Sequence, residues 1–312
     1  MSAAETSIRP TASSAPAGRP ASRTATSAGN RARLLFPREH GAWGMISLPF
    51  LAGALVGGNW VSPRMAAAAL AVLAVFLLRE PLVALWRSRA AARKYGVKPH
   101  EQSANNQTGT SRESVLLSLF VYGAVAAGAG LYLLQTLPIA PLAVLGASAA
   151  LLTVGVTYAI VHNFQRHPAL QILSVVGLTA SSLLAYLAAR GSWDGTVLWI
   201  WGLSAAHSAT SVLVVHARLE ALAADRQAGR APTSDRRNAW LAQGGLLFLG
   251  GILAASGRTS LLLPFLPPLF LHVWELWLFR SGLPARFSMR RVGWTQLGAS
   301  VAFYAILISV LS

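Results

Sequence analysis

The chain has 312 residues, 54% hydrophobic and 12% charged, with a formal charge of +16 and no cysteine. A soluble domain carries about twice that charge fraction. The lack of thiols excludes disulfides and thiolate metal sites. The basic residues are spread over several short connections, not gathered on one soluble surface, and this argues against a nucleic-acid partner.

Apolar runs near twenty residues recur along the chain, about the length a helix needs to cross a bilayer core. They are apolar all round instead of striped, as a soluble α-solenoid would be. The expected fold is therefore all-α, a polytopic membrane helical bundle of about nine transmembrane helices. Residues 1–33 are rich in Ser, Ala, Thr, Pro and Arg, with Glu5 the only acid. They read as a disordered basic cytosolic tail, followed by a single transmembrane helical domain over 34–312. The tail's composition also fits an organellar transit peptide, while a cleaved secretory signal is not expected.

In chain order the predicted spans are Trp43–Gly58, Met65–Trp86, Ser114–Leu134, Ile139–Val161 and Leu170–Ala188, then Thr196–Ala217, Trp240–Ala255, Ser260–Phe279 and Trp294–Leu311. The second contains Arg79, Glu80 and Pro81, so its apolar part ends near Leu78 and the rest is expected to leave the bilayer as a continuing helix. Pro264, Pro267 and Pro268 predict a kink in the eighth, because each removes a backbone donor and crowds the preceding turn.

The tail and the even-numbered connections hold 23 of the 26 Lys and Arg residues. Only Arg64, Arg190 and Arg258 fall on the other side. The positive-inside rule then places the N-terminus in the cytoplasm and the C-terminus outside. The longest connection, residues 87–113, has a polar stretch over 99–111 that is expected to be mobile. Its Asn106-Gln107-Thr108 sequon would face the cytosol and stay unmodified.

Ionisable residues gather at the basic rim. Arg38, Glu39 and His40 stand at the mouth of the first span, and Arg79 and Glu80 at that of the second. His162, Asn163, Arg166 and His167 stand at the fourth, and His216, Arg218 and Glu220 at the sixth. Each has an ordinary explanation as a span-end residue reaching the headgroups. Local ion pairs of Glu39 with Arg38 and Glu80 with Arg79 would likewise explain those acids without chemistry. His216 and Glu220 are four apart and share a helix face, with Arg218 pointing elsewhere. A histidine oriented by a carboxylate can act as a base or bind a metal, and the two can equally be only a satisfied polar pair. His272 and Glu275 lie inside the eighth span, where Glu275, the deepest acid, must be neutral, paired or facing water. His207, mid-span and nearly opposite His216, is expected to bond a neighbouring helix. No tight metal-ligand motif, phosphate loop or nucleophile elbow is present, and no metal or cofactor is assigned.

The run Pro37-Arg38-Glu39-His40-Gly41-Ala42-Trp43-Gly44, followed by Leu48-Pro49-Phe50-Leu51-Ala52-Gly53, resembles the signature of the YwiC-like family of bacterial membrane proteins. Arg79-Glu80-Pro81-Leu82 and Val215-His216-Ala217-Arg218 resemble it as well. The order of spans is more distantly similar to the UbiA superfamily of membrane prenyltransferases. That likeness implies a nine-helix, UbiA-like bundle with a cytosol-facing cavity and functional motifs after the second and sixth spans. The superfamily's Asp-rich magnesium motifs are missing here, since Glu80 stands alone after the second span and Glu220 and Asp225 after the sixth.

Two functional expectations follow. The first is binding or transfer of an anionic or isoprenoid-type lipid in a cytosol-facing cavity. Glu39, His40, His216 and Glu220 would be the catalytic candidates. Arg38, Arg79, Glu80, His162, Asn163, Arg166 and Arg218, with His272 and Glu275, would bind substrate. The second is a membrane transporter or permease using the intramembrane His272–Glu275 pair. A non-catalytic membrane partner is a third.

Overall fold

The computed structural model describes residues 33–37, 40–95, 111–162, 164, 167–226, 234–280 and 289–312. Among the described residues, ten α-helices form the framework. They are α1 (His40–Gly57), α2 (Pro63–Tyr95), α3 (Arg112–Thr136), α4 (Ile139–Val161), α5 (Pro168–Thr179) and α6 (Ser181–Arg190), then α7 (Gly195–Arg226), α8 (Ser234–Ala255), α9 (Leu266–Arg280) and α10 (Met289–Leu311). Among the described residues, eight helical stretches are long and apolar enough to cross a membrane, and Gly41–Gly57 is a shorter apolar helix. The protein is an integral membrane helical bundle, as its hydropathy requires. The tail over 1–33 and the stretch over 99–111, expected to be mobile, lie outside the described residues apart from residue 33 and Ser111.

The helices start where local chemistry satisfies their first amides. Ser62 accepts from Met65 N–H at 3.2 Å ahead of α2, with Pro63 as first helical residue. Ser111 caps α3 through Ser114 N–H, also at 3.2 Å. Pro168 opens α5, where the His167 ring accepts from Ala169 N–H at 3.3 Å. The expected continuation of the second span is present, because α2 runs unbroken through Pro81 to Tyr95. The proline cluster of the eighth span acts more strongly than a kink. Residues Thr259–Phe265 form a 3₁₀ turn containing Pro264, and α9 begins only at Leu266 with Pro267 and Pro268 in its first turn.

The fifth span is broken three residues after Gly177, with no proline at the break. It divides at Ala180 into α5 and α6. Ser181 Oγ donates to Ile46 O of α1 at 2.9 Å, and Ser182 Oγ donates to Thr179 O at 2.8 Å. The Ser181 hydroxyl ties the break to α1, and the Ser182 hydroxyl bonds back across it.

α1 lies along α6 with the two chains running the same way. Gly53 and Gly57 face Ser182 and Ala189, and a Cβ built on Gly53 would stand 2.2 Å from Ser182 O. Small residues four apart on α1 and seven apart on α6 allow this approach. α2 packs chiefly along α3. The segment just before α1 is strapped to α3 by side chains spaced four apart. Ser114 and Ser118 Oγ accept from Arg33 and Leu35 N–H, both at 3.0 Å, and Tyr122 OH donates to Leu35 O at 2.8 Å. This strap fixes where the first span enters the bundle.

The sparsely charged end is organised by its three arginines. Arg258 lies over Trp199 at 4.7 Å. Arg64 lies against Gly191, whose φ of 79° ends α6 in the left-handed conformation. Arg190 pairs with Asp194 at 3.7 Å. Asp194 also accepts from Tyr186 OH at 2.7 Å and caps α7 through Thr196 N–H at 2.8 Å. The Tyr186 hydroxyl is the main cause that holds the Asp194 carboxyl below the usual aspartate range, against a smaller opposing effect of burial. A depressed folded-state value stabilises the fold above the unfolded-state value, and the gain is lost as pH falls through the folded-state value. Acid titration of thermal stability is therefore expected to show a loss below the ordinary aspartate range, and Asp194→Asn should remove that component.

Candidate functional site

A chain of buried polar side chains runs between α7, α9 and α10. Arg218 of α7 and Glu275 of α9 are 4% and 6% exposed, and Arg218 Nη1 donates to Glu275 Oε1 at 2.9 Å. Gln296 of α10 donates through Nε2 to Glu275 Oε2 at 3.5 Å. Its Oε1 lies 3.3 Å from His272 Nε2, which also approaches Ser211 Oγ of α7 at 3.5 Å. Deeper in the bundle, His207 Nε2 lies 3.0 Å from Ser300 Oγ of α10, and the His207 ring stacks on Phe303 at 4.2 Å.

Helix periodicity explains why these groups meet. Ser204, His207, Ser211 and Arg218 recur at intervals of three, four and seven, with Ser208 beside His207, and form one buried stripe of α7. At about 1.5 Å rise per residue the stripe is roughly 21 Å long, two thirds of a bilayer core. Val214 interrupts it with an apolar contact to Ala217, Ala239 and Leu276. On α9, His272 and Glu275 are three apart and face that stripe together.

The sequence-derived candidates divide. Arg218, Glu275 and His272 are joined through Gln296. Arg218 is thus engaged inside the bundle by Glu275 instead of being offered at the rim. His207 bonds a neighbouring helix, as expected. Arg79 Nη2 pairs with Glu80 Oε1 at 3.0 Å, the local ion pair foreseen from their adjacency. His216 hydrogen-bonds through Nε2 to Gln171 Oε1 of α5, while Glu220 is half-buried one turn farther along α7. His162 is exposed at the end of α4 and packs on Tyr158, which meets Trp86 of α2 edge-on. Arg38, Glu39, Asn163 and Arg166 lie outside the described residues, as does the side chain of His40.

Sequence reasoning missed Gln171, Ser211, Gln243, Gln296 and Ser300. The available signal was amides and hydroxyls inside apolar spans, which need partners there. Among the described residues no group of three His, Asp or Glu side chains could hold a metal ion. The seam offers a balanced ion pair, two imidazoles, amides and hydroxyls within the membrane-spanning segments, a set suited to hydrogen bonding with a polar solute.

Compared with known families, residues 36–189 match the family described as YwiC-like protein. The match covers α1 to α6, and the polar seam is built on helices that follow it. No curated protein matches the chain.

Proposed function

We propose, on the premise that the chain belongs to the YwiC-like family through residues 36–189, that the protein is a membrane permease. A small polar solute would pass along the buried seam of α7, α9 and α10. The observation that carries this reading is the hydrogen-bonded series Arg218, Glu275, Gln296, His272 and Ser211 inside spans that lipid surrounds. Polar and ionised groups in such a place are expensive, and a polar path is the commonest reason for keeping them. The charge asymmetry supports a cytosolic position for the Arg218 end, with the C-terminus outside.

A second reading keeps the isoprenoid-type lipid as substrate. It is supported by the Arg79–Glu80 pair on α2 and the His216–Gln171 pair between α7 and α5. In that reading Glu220 and His216 matter most, and Glu39, His40 and Arg38 complete the rim.

The permease reading is tested with purified protein in liposomes. Urea, glycerol, ammonium and potassium gradients are applied and vesicle volume is followed by light scattering. At least one solute is expected to equilibrate faster than in protein-free liposomes, and equally fast with Glu220→Gln. Indistinguishable rates for all four would overturn the permease. Binding of a polyprenyl diphosphate that Glu220→Gln abolishes would favour the lipid reading instead.

A further inference from the structure

Gln243 of α8 is 2% exposed, yet neither its Oε1 nor its Nε2 has a protein partner. His272 is fully buried, and its Nδ1 is also without one. Buried polar atoms in folded proteins are nearly always bonded, because leaving one unpaired forfeits its hydration without replacement. Three such atoms at one level of a bundle call for a common partner.

The level follows from register. Ala239 packs with Val214 and Ala217 of α7 and Leu276 of α9. Gln243 is one turn farther along the same face of α8. Because α8 runs opposite to both α7 and α9, one turn along α8 corresponds to one turn back along each. That brings Gln243 to the depth of Ser211 and His272, which are themselves in contact.

We infer that Gln243, His272 and Ser211 line a binding site for a small uncharged solute carrying both hydrogen-bond donors and acceptors, as an amide or a polyol does. Gln296 Oε1 only accepts, so His272 Nε2 carries the hydrogen and Nδ1 of the uncharged ring presents a lone pair. The site thus offers two acceptors, Nδ1 and Gln243 Oε1, and one donor, Gln243 Nε2. The guanidinium of Arg218 and the carboxylate of Glu275 cancel one another one turn away. A solute with net charge would find no counter-charge left among these groups, and an unpaired buried charge is far costlier than an unpaired dipole. This inference names the solute class for the permease, and its transport role rests on that reading.

The chain contains no cysteine, so a single introduced thiol is the only one present. Membranes carrying Gln243→Cys, Ser211→Cys or Leu241→Cys are exposed to iodoacetamide or to iodoacetate, which differ in an amide against a carboxylate. Rates are normalised to the same variants unfolded in detergent, and a gel-filtration profile confirms folding. Leu241, 66% exposed on the outer face of α8, is the lipid-facing control. Iodoacetamide is expected to modify Gln243→Cys and Ser211→Cys at least about tenfold faster than iodoacetate, because an uncompensated carboxylate is disfavoured there. Leu241→Cys should resist both. Resistance of Gln243→Cys and Ser211→Cys equal to that of Leu241→Cys, or equal modification by the two reagents, overturns the site. The liposome measurement is separate. Labelling without flux removes transport and leaves the site, and flux without labelling removes the site alone.

Discussion

Gly53→Ala is expected to destabilise the bundle by about 3 kcal/mol, the upper part of the usual range for overpacking. The added Cβ would stand 2.2 Å from Ser182 O and 3.0 Å from Ser182 C and Cα. Those are backbone atoms, so no side-chain rotation relieves the clash and α1 must move away from α6. Lipid competes for apolar surface as well as any helix does, and close van der Waals contact is what holds such helices together. Gly57→Ala should act in the same direction, because its Cβ would meet Ala189 Cβ at 2.6 Å. Gly123→Ala on α3 is the control. Nothing lies within 4 Å of its Cβ position, and alanine is the better helix former by up to about 1 kcal/mol. Unfolding in mixed micelles measures all three. Equal midpoints for Gly53→Ala and Gly123→Ala would show that α1 and α6 are not in the described contact.

The second large effect concerns the ion pair. Glu275→Leu alone leaves the Arg218 guanidinium facing an apolar side chain at a site 5% exposed, and the expected loss is about 3–5 kcal/mol. Arg218→Met alone strands the carboxylate, with a loss of similar size. The double variant Arg218→Met with Glu275→Leu removes both charges together and should be close to the wild type in stability, since a buried pair seldom outweighs the apolar residues that replace it. A cycle of the four proteins gives the coupling directly. Additive losses would mean that the two side chains do not face one another.

Much of the fold was legible because a bilayer leaves the backbone few options. Ile139–Val161 is the helix that hydropathy alone delimits, and the proline cluster at Pro264, Pro267 and Pro268 marks a real interruption. The break at Ala180 was not legible. It depends on the Ser181 hydroxyl reaching Ile46 O on a helix 135 positions earlier, and local composition carries no trace of that contact. The site shows the same division. An intramembrane acid must be satisfied, so a partner for Glu275 was foreseeable. Which partner was not, because Arg218 is 57 positions away and periodicity tells which residues share a face but not which faces meet. His216 and Arg218 illustrate the gap. Two positions apart on one helix, they turn to Gln171 of α5 and Glu275 of α9, two different neighbours. Gln243 and Gln296 were overlooked because a lone amide carries no charge to mark it within an apolar run.

The central claim is that the seam of α7, α9 and α10 is the working part of the protein. Solute flux into liposomes carrying Glu275→Gln tests it most directly, because the substitution keeps the side chain's shape while removing the carboxylate charge and one of its two acceptor oxygens. Flux is expected to fall by at least about tenfold, because the buried ion pair in the path is broken, in protein whose gel-filtration profile matches the wild type. Undiminished flux through folded Glu275→Gln protein would contradict it.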